Sequence, residues 1–284
     1  MSEQQSNAAT DMATPDNLRE IERVAVELAA LAGAEISITL GTMMTIRYKG
    51  AAEVGEAPRD PVSEADHRIE QLIRDRIAGH FPSHGVIGEE FEGGAGEGQE
   101  TVWAIDPIDG TTNFTNGFPL FAAAIGVLHR GRPVAGAIWC ATGHALRSGV
   151  YHASIGRELR FDESIVEVKD DPQVHRRLAG VPNLSRGAGR WEARKTGSAA
   201  IECAFVAAGL LEAARFDTPN IWDVASGVAL VKAAGGEVLV KQGDAWEPFT
   251  SFAGEAGAGS DMARWNRPMI IGRVSADELI AELG

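Results

Sequence analysis

Asp106-Pro107-Ile108-Asp109-Gly110-Thr111-Thr112-Asn113 decides how the rest of the chain is read. It follows Val102-Trp103-Ala104-Ile105, a short apolar run that predicts a buried strand. Two carboxylates therefore leave the carboxyl end of a strand together, and a Gly-Thr-Thr turn follows at once. Two acids three positions apart, joined through a stiff proline, can address one point. A hard divalent cation suits that point, because Mg²⁺ prefers carboxylate, carbonyl and water oxygens. The N–H groups of Gly110 and Thr111 could then take a phosphate oxygen, as turn and helix-start amides do. Either aspartate alone reads more simply as part of an Asx-Pro turn closing the strand. The octet as a whole favours the metal.

Upstream, residues 1–13 read as a disordered tail. Thr14-Pro15-Asp16-Asn17 reads as a helix start, Thr14 capping and Pro15 in the first helical position. Leu18, Ile21, Ala25, Leu28 and Ala32 recur at helical spacing and predict a helix ending at Gly33. Residues 50–59 are small, acidic and aperiodic, which predicts a mobile loop; its Glu53 and Glu56 either tune metal affinity or are simply solvated. Ser63-Glu64-Ala65-Asp66 predicts the capped start of a second helix, with Ile69, Leu72, Ile73 and Ile77 buried and Gly79 as its end.

Downstream, the runs Phe121–Val127 and Val134–Trp139 predict two strands joined by a turn. Ile165–Val168 predicts a further strand piece. Ser198–Gly209 predicts a buried helix, and Asp223 begins another that stops at Gly235-Gly236 before a strand over Glu237–Val240. Interleaved strands and helices argue an α/β or α+β fold with layered sheets. No repeat or linker divides the chain, so the reading is one domain over 14–284 with two lobes, about 14–145 and about 146–284.

Composition sets further bounds. The content, 44% hydrophobic and 23% charged, is that of an ordinary globular protein. No apolar run approaches the ~20 residues of a membrane span, and the first sixteen residues hold no Lys or Arg, unlike a signal peptide. Cys140 and Cys203 both lie in apolar stretches and read as core residues of a reducing cytoplasm. A net charge of −14 argues against nucleic-acid binding. It also means that binding a phosphate ester needs a local positive charge, for which bound metal ions are the simplest source.

Three acidic elements join the octet: Gly88-Glu89-Glu90 after Val86-Ile87, Asp66 at the second helix start, and Trp222-Asp223-Val224-Ala225 after a Pro-Asn turn. Singly, Asp66 could serve a helix dipole, Glu89-Glu90 a solvated turn, and Asp223 an N-cap. Together, and in this order, they resemble the inositol monophosphatase family of Mg²⁺-dependent, Li⁺-sensitive phosphatases. The matching segments are Asp60–Asp66, Gly88–Glu90, Trp103–Phe114 and Trp222–Gly227, within a likeness running from about residue 18 to 272.

The resemblance implies a layered αβαβα sandwich of the inositol monophosphatase and fructose-1,6-bisphosphatase type, holding two to three Mg²⁺ ions. Glu89, Asp106 and the Ile108 carbonyl would hold the first metal; Asp106, Asp109 and Asp223 the second; a third, weaker ion would sit near Glu89. Thr111, hydrogen-bonded to Asp66, would orient the attacking water with Glu89, and the Gly110 and Thr111 amides would hold the phosphate. Gly197-Ser198-Ala199 matches a Gly-Thr-Ala element that contacts the substrate ring. The family's glutamate seven residues before the Trp-Asp aspartate is Phe216 here, leaving its neighbour Asp217 as the candidate for that contact. Relatives are commonly homodimers. The resemblance leaves open whether the substrate is a polyol or sugar phosphate such as inositol 1-phosphate, or histidinol phosphate, fructose 1,6-bisphosphate or a nucleotide 3′-phosphate. A regulatory binding protein on the same fold is the non-enzymatic alternative. Trp265 is a further candidate at the pocket border, and the seven histidines form no ligand spacing.

Overall fold

The apolar stripe that opens the chain becomes one long helix, α1 (Pro15–Lys49). The computed structural model describes residues 15–49, 61–91, 99–168, 178–253 and 262–284. Thr14, the 1–13 tail and the 50–59 loop lie outside these described residues. Ile21, Val24, Ala25, Leu28, Ala29, Ala32 and Ile36 are at most 3% exposed, the stripe that an amphipathic helix turns to a core. The helix does not end at Gly33 but continues to Lys49. A side chain at Gly33 would overlap the Trp139 indole, so this glycine permits close approach to a strand instead of stopping the helix. Carried past Gly33, the stretch Asn17–Thr42 is long and apolar enough to cross a bilayer, contrary to the expectation from composition. Its buried face is covered by strands of the sheet below.

α2 (Pro61–His80) starts at Pro61, two residues ahead of the serine expected to cap it, because proline suits a first helical position. The first sheet then forms in chain order from β1 (Gly85–Gly88) and β2 (Thr101–Asp109), followed after the short α3 (Thr111–Asn116) by β3 (Ala122–His129), β4 (Arg132–Cys140), β5 (Gly149–Ser154), β6 (Arg160–Phe161) and β7 (Ser164–Ile165). β1 and β2 run parallel, and every later pairing in this sheet is antiparallel. The expected β3–β4 hairpin turns through Arg130 at φ 50° and Gly131 at φ 75°, the positive pair that a primed turn requires. Of the strand expected over Ile165–Val168, only Ile165 pairs in the sheet, together with the preceding Ser164, and both residues are exposed. The sheet carries the chain to Ile165, with residue 145 between two of its strands.

The second sheet has the order β12-β11-β13-β10-β8-β9, from β8 (Leu178–Gly180), β9 (Glu192–Arg194), β10 (Ala213–Phe216), β11 (Glu237–Gln242), β12 (Ala245–Pro248) and β13 (Met269–Gly272). Between the sheets lie α4 (Ala199–Ala207) and α5 (Ile221–Ala233), and α6 (Ala276–Leu283) covers the far side. Three apolar cores separate these layers: α1 and α2 on the first sheet, α4 and α5 between the sheets, and α6 on the second. This is the expected αβαβα sandwich. A side chain at Gly136 of β4 would overlap the Ser226 backbone of α5, so the helix lies close on the sheet and carries Asp223 with it.

Candidate active site

β2 can carry a site because its pairing is interrupted. Asp106 faces Ala124 of β3 while Asp109 faces Ala122, so three steps on β2 match two on β3. The extra residue is a bulge. Pro107, with no N–H to give the ladder, sits within it. In an unbroken strand, residues three apart face opposite sides. Here Ala104 lies in the core between the sheets while Ile108 lies in the core under α1 and α2. The bulge reverses the alternation and turns Asp109 to the side that Asp106 occupies. Gly110 then takes φ 87°, a left-handed conformation that glycine adopts without strain, and α3 begins.

Other elements bring their acids to the same place. Asp66 comes from the second turn of α2 and is 5% exposed; Asp106 is 2% exposed. Glu89 follows β1 and is exposed. Asp223, in the first turn of α5, accepts the Asn220 N–H at 2.7 Å. Burial pushes the Asp106 carboxyl well above the usual range, and repulsion from Asp109, Glu89, Asp223 and Asp66 adds to it. Burial also raises Asp109, against the hydrogen bonds it receives from Ser198 and from the backbone of Ala200, Ala199 and Gly110. Although Glu89 reaches solvent, partial desolvation of its carboxyl raises it, and Glu90 and Asp109 add to this against a hydrogen bond shared with Asp106. Asp223 is pushed up to about 7 by burial and by Asp109. Four acids thus oppose the ionisation of the buried Asp106, a repulsion that a cation there would relieve.

The donor set fits a hard divalent ion. It offers carboxylate oxygens and no thiolate or imidazole, and Asp106 Oδ1 is buried without a hydrogen-bond partner. Among the described residues, no three acidic, histidine or cysteine groups stand close enough together to form a ready-made metal cage.

The model of the Inositol monophosphatase family matches residues 17–276. This chain belongs to the inositol monophosphatase family. It is therefore a phosphoric monoester hydrolase of a metal-dependent family. Inositol-1-monophosphatase SuhB of Mycobacterium tuberculosis (strain ATCC 25618 / H37Rv) is 33% identical over 266 residues, covering 81% of this chain and 87% of that one. The fructose-1,6-bisphosphatase/inositol-1-monophosphatase of Aquifex aeolicus (strain VF5) is 31% identical over 238 residues, covering 78% and 86%. The structure of inositol monophosphatase from Anabaena (Nostoc) sp. PCC 7120 superposes with a TM-score of 0.68 at 25% identity, covering 94% of this chain and 96% of that one.

Against the inositol monophosphatase pattern, several side chains are engaged differently from expectation. Thr111 Oγ1 donates to the Ile108 carbonyl at 3.1 Å. A hydroxyl has one proton to give, so the implied bond from Thr111 to Asp66 requires that group to rotate. The Gly110 N–H, expected at a phosphate, lies against the Asp109 carboxylate. Ser198, expected at a substrate ring, is 3% exposed and donates to Asp109 Oδ2 at 2.6 Å while accepting the Ile201 N–H that caps α4. Gly197 and Ala199 flank it, Gly197 at φ 80° beside Asn113. Asp217 accepts from Arg215 Nε at 2.9 Å and Arg186 at 3.2 Å, beside a buried Phe216. Trp265 is buried against Phe249 and Phe252.

Two supports escaped the sequence reading. Asn113 Nδ2 donates to the carbonyls of Leu120 at 2.6 Å and Thr196 at 2.8 Å, tying α3 to the loop before Ser198. Glu70 is a fully buried acid beneath the Glu89–Glu90 loop. The signal for it was present: an acid interrupts the Ile69, Ile73, Ile77 stripe four residues after Asp66.

Proposed function

We propose that this chain hydrolyses the phosphate ester of a small polyol or sugar, of the inositol 1-phosphate type, with Mg²⁺ as cofactor. The observation that carries the reading is the bulge that turns Asp106 and Asp109 to one side, where the buried Asp66, Glu89 and the α5 start that carries Asp223 oppose the ionisation of Asp106. Glu89, Asp106, Asp109, Asp223 and the Ile108 carbonyl would hold two to three ions. When bound, such ions neutralise charge on the phosphate and its leaving oxygen and lower the pKa of water. The protein's own part is placement, which dominates phosphoryl transfer. Glu89, exposed at the rim, accepts a proton from the attacking water, and Thr111 orients that water through its hydroxyl. The bulge at Pro107 keeps Asp106 and Asp109 on one side, so that both carboxylates would serve the same ions.

On the alcohol side, the Ser198 hydroxyl is committed to Asp109 and the Asp217 carboxylate to two arginines. This supports a site that grips the phosphate more closely than the alcohol, and so a choice of substrates wider than one inositol phosphate. A fructose 1,6-bisphosphatase activity is the second reading, favoured by the doubly named Aquifex relative. We further take the protein to act as a cytoplasmic homodimer that engages neither nucleic acid nor membrane. The net charge of −14 and two buried free cysteines support the exclusion of polyanions and a reducing setting.

A phosphate-release screen tests the proposal. Inositol 1-phosphate, fructose 1,6-bisphosphate, histidinol phosphate and adenosine 3′,5′-bisphosphate are offered with Mg²⁺, with EDTA and with added Li⁺. Turnover of inositol 1-phosphate that needs Mg²⁺ and falls with Li⁺ is expected. Turnover in EDTA, or none of the four consumed, would sink it.

A further inference from the structure

Glu70 has no exposed surface, and burying a carboxylate is costly unless its oxygens are bonded. Both are bonded. Oε2 accepts the Glu90 N–H at 2.8 Å and Oε1 accepts Arg74 Nε at 2.7 Å. Arg74 in turn lies over the Phe91 ring, 5.4 Å from its centre. His67 pairs with Glu90 Oε2 at 2.8 Å and meets the edge of the same ring at 5.5 Å. Positions 67, 70 and 74 are spaced by three and four, so they form one face of α2. That face holds the two residues directly after Glu89, by backbone and by side chain.

Gly88 supplies an independent observation. Any side chain there would overlap the Glu70 carboxyl group. Gly88 does not have a positive φ, so its lack of a side chain is a matter of space and not of backbone conformation. The glycine of Gly88-Glu89-Glu90 is thus explained by the glutamate beneath it. Asp66, on the preceding turn of α2, joins Glu89 in opposing the ionisation of Asp106.

We propose that Glu70 is a positioning residue: through the Glu90 N–H it fixes the loop in the register that aims Glu89 at Asp106, and so sets the cation affinity of the site. The proposal deepens the phosphatase reading and rests on Glu89 being a cation ligand.

The test is Mg²⁺ titration by calorimetry on the full chain, beside thermal melts in EDTA. The proteins are wild type, Glu70→Ala, Glu70→Gln, Gly88→Ala and the double variant Gly88→Ala/Glu70→Ala. Glu70→Ala is expected to weaken Mg²⁺ binding ~10- to 100-fold, as loss of a group that orients a ligand does. Glu70→Gln keeps an acceptor for the Glu90 N–H and should recover most of that affinity. Gly88→Ala should lose as much as Glu70→Ala, and the double variant no more than either, because the space has been vacated. Losses that multiply in the double variant would overturn the proposal. So would lower melting points with Mg²⁺ affinity unchanged, which is the result of a purely structural role. Should Glu70→Ala not fold, Gly88→Ala and Glu70→Gln decide by the same comparison. A wild-type protein that binds no Mg²⁺ overturns the metal reading itself, and is told apart because it fails before any substitution is made.

Discussion

Ser198 Oγ donates to Asp109 Oδ2 at 2.6 Å while it accepts the Ile201 N–H at 3.2 Å. One hydroxyl therefore starts α4 and steadies a carboxylate on the first sheet. Ser198→Ala removes both bonds and leaves Asp109 with backbone donors alone, among them the Ala200 N–H at 2.5 Å. A loss of ~1–2 kcal/mol of stability is expected, with Mg²⁺ half-saturation of phosphate release raised ~10-fold or more. Ser198→Thr keeps the hydroxyl and should keep both properties. Thermal melting and Mg²⁺ titration of activity check this; an alanine variant with wild-type Mg²⁺ dependence would show that Asp109 needs no such support.

Asp106 stands under the greatest strain of the acids, being buried and facing four others. Asp106→Asn removes its charge with almost no change of shape. Without metal, the variant is expected to melt higher than wild type near neutral pH, by on the order of 1–2 kcal/mol of relieved repulsion and burial. With metal it should release no phosphate. The sign is the test: a variant less stable in EDTA than wild type would mean that the five carboxylates do not oppose one another as the geometry requires.

The sequence disclosed the site better than it disclosed the frame. Asp106 and Asp109 were recognisable because proline and glycine punctuate them, and the bulge that turns both to one side is the structural form of that punctuation. Asp223 and Asp66 were legible at helix starts, where an acid has a local reason to be. What escaped was tertiary. The roles of Ser198 and Asp217 depend on which neighbour arrives, Asp109 in one case and Arg215 in the other, and no local pattern reports that. Glu70 interrupted an apolar stripe visibly, yet its purpose lay in the backbone of Glu90, twenty residues on.

Glu202 gives a pH dependence outside the proposed metal ligands. It is buried, and its carboxyl is pushed up to about 7, by burial first, against hydrogen bonds from the Thr196 hydroxyl and N–H. The folded protein thus holds a proton that the unfolded chain releases near 4.5, its ordinary value. A native state that binds more protons loses stability as pH rises. The loss should begin above about 4.5 and be complete once pH passes about 7, up to ~3 kcal/mol in all. Glu202→Gln accepts the same bonds without ionising. The difference in stability between variant and wild type, from urea melts at pH 5 and pH 8, should shift in favour of the variant at pH 8. A difference that stays constant would place the Glu202 carboxyl in the ordinary range.

α1 offers two glycines with opposite expectations. A helix interior favours alanine over glycine by ~1 kcal/mol. Gly41 would meet nothing within 4 Å of an added methyl group, so Gly41→Ala should stabilise by ~0.5–1 kcal/mol. Gly33 lies against Trp139, which is 8% exposed and wedged beside Phe121. An added methyl there overlaps the ring system itself, whose atoms cannot bend aside as a flexible chain end would. The cost of overpacking is ~1–3 kcal/mol, enough to outweigh the propensity gain. Gly33→Ala should therefore destabilise by ~1–2 kcal/mol net in denaturant melts. If both substitutions stabilised, Gly33 would be an ordinary helix glycine and the close approach of α1 to β4 would not depend on it.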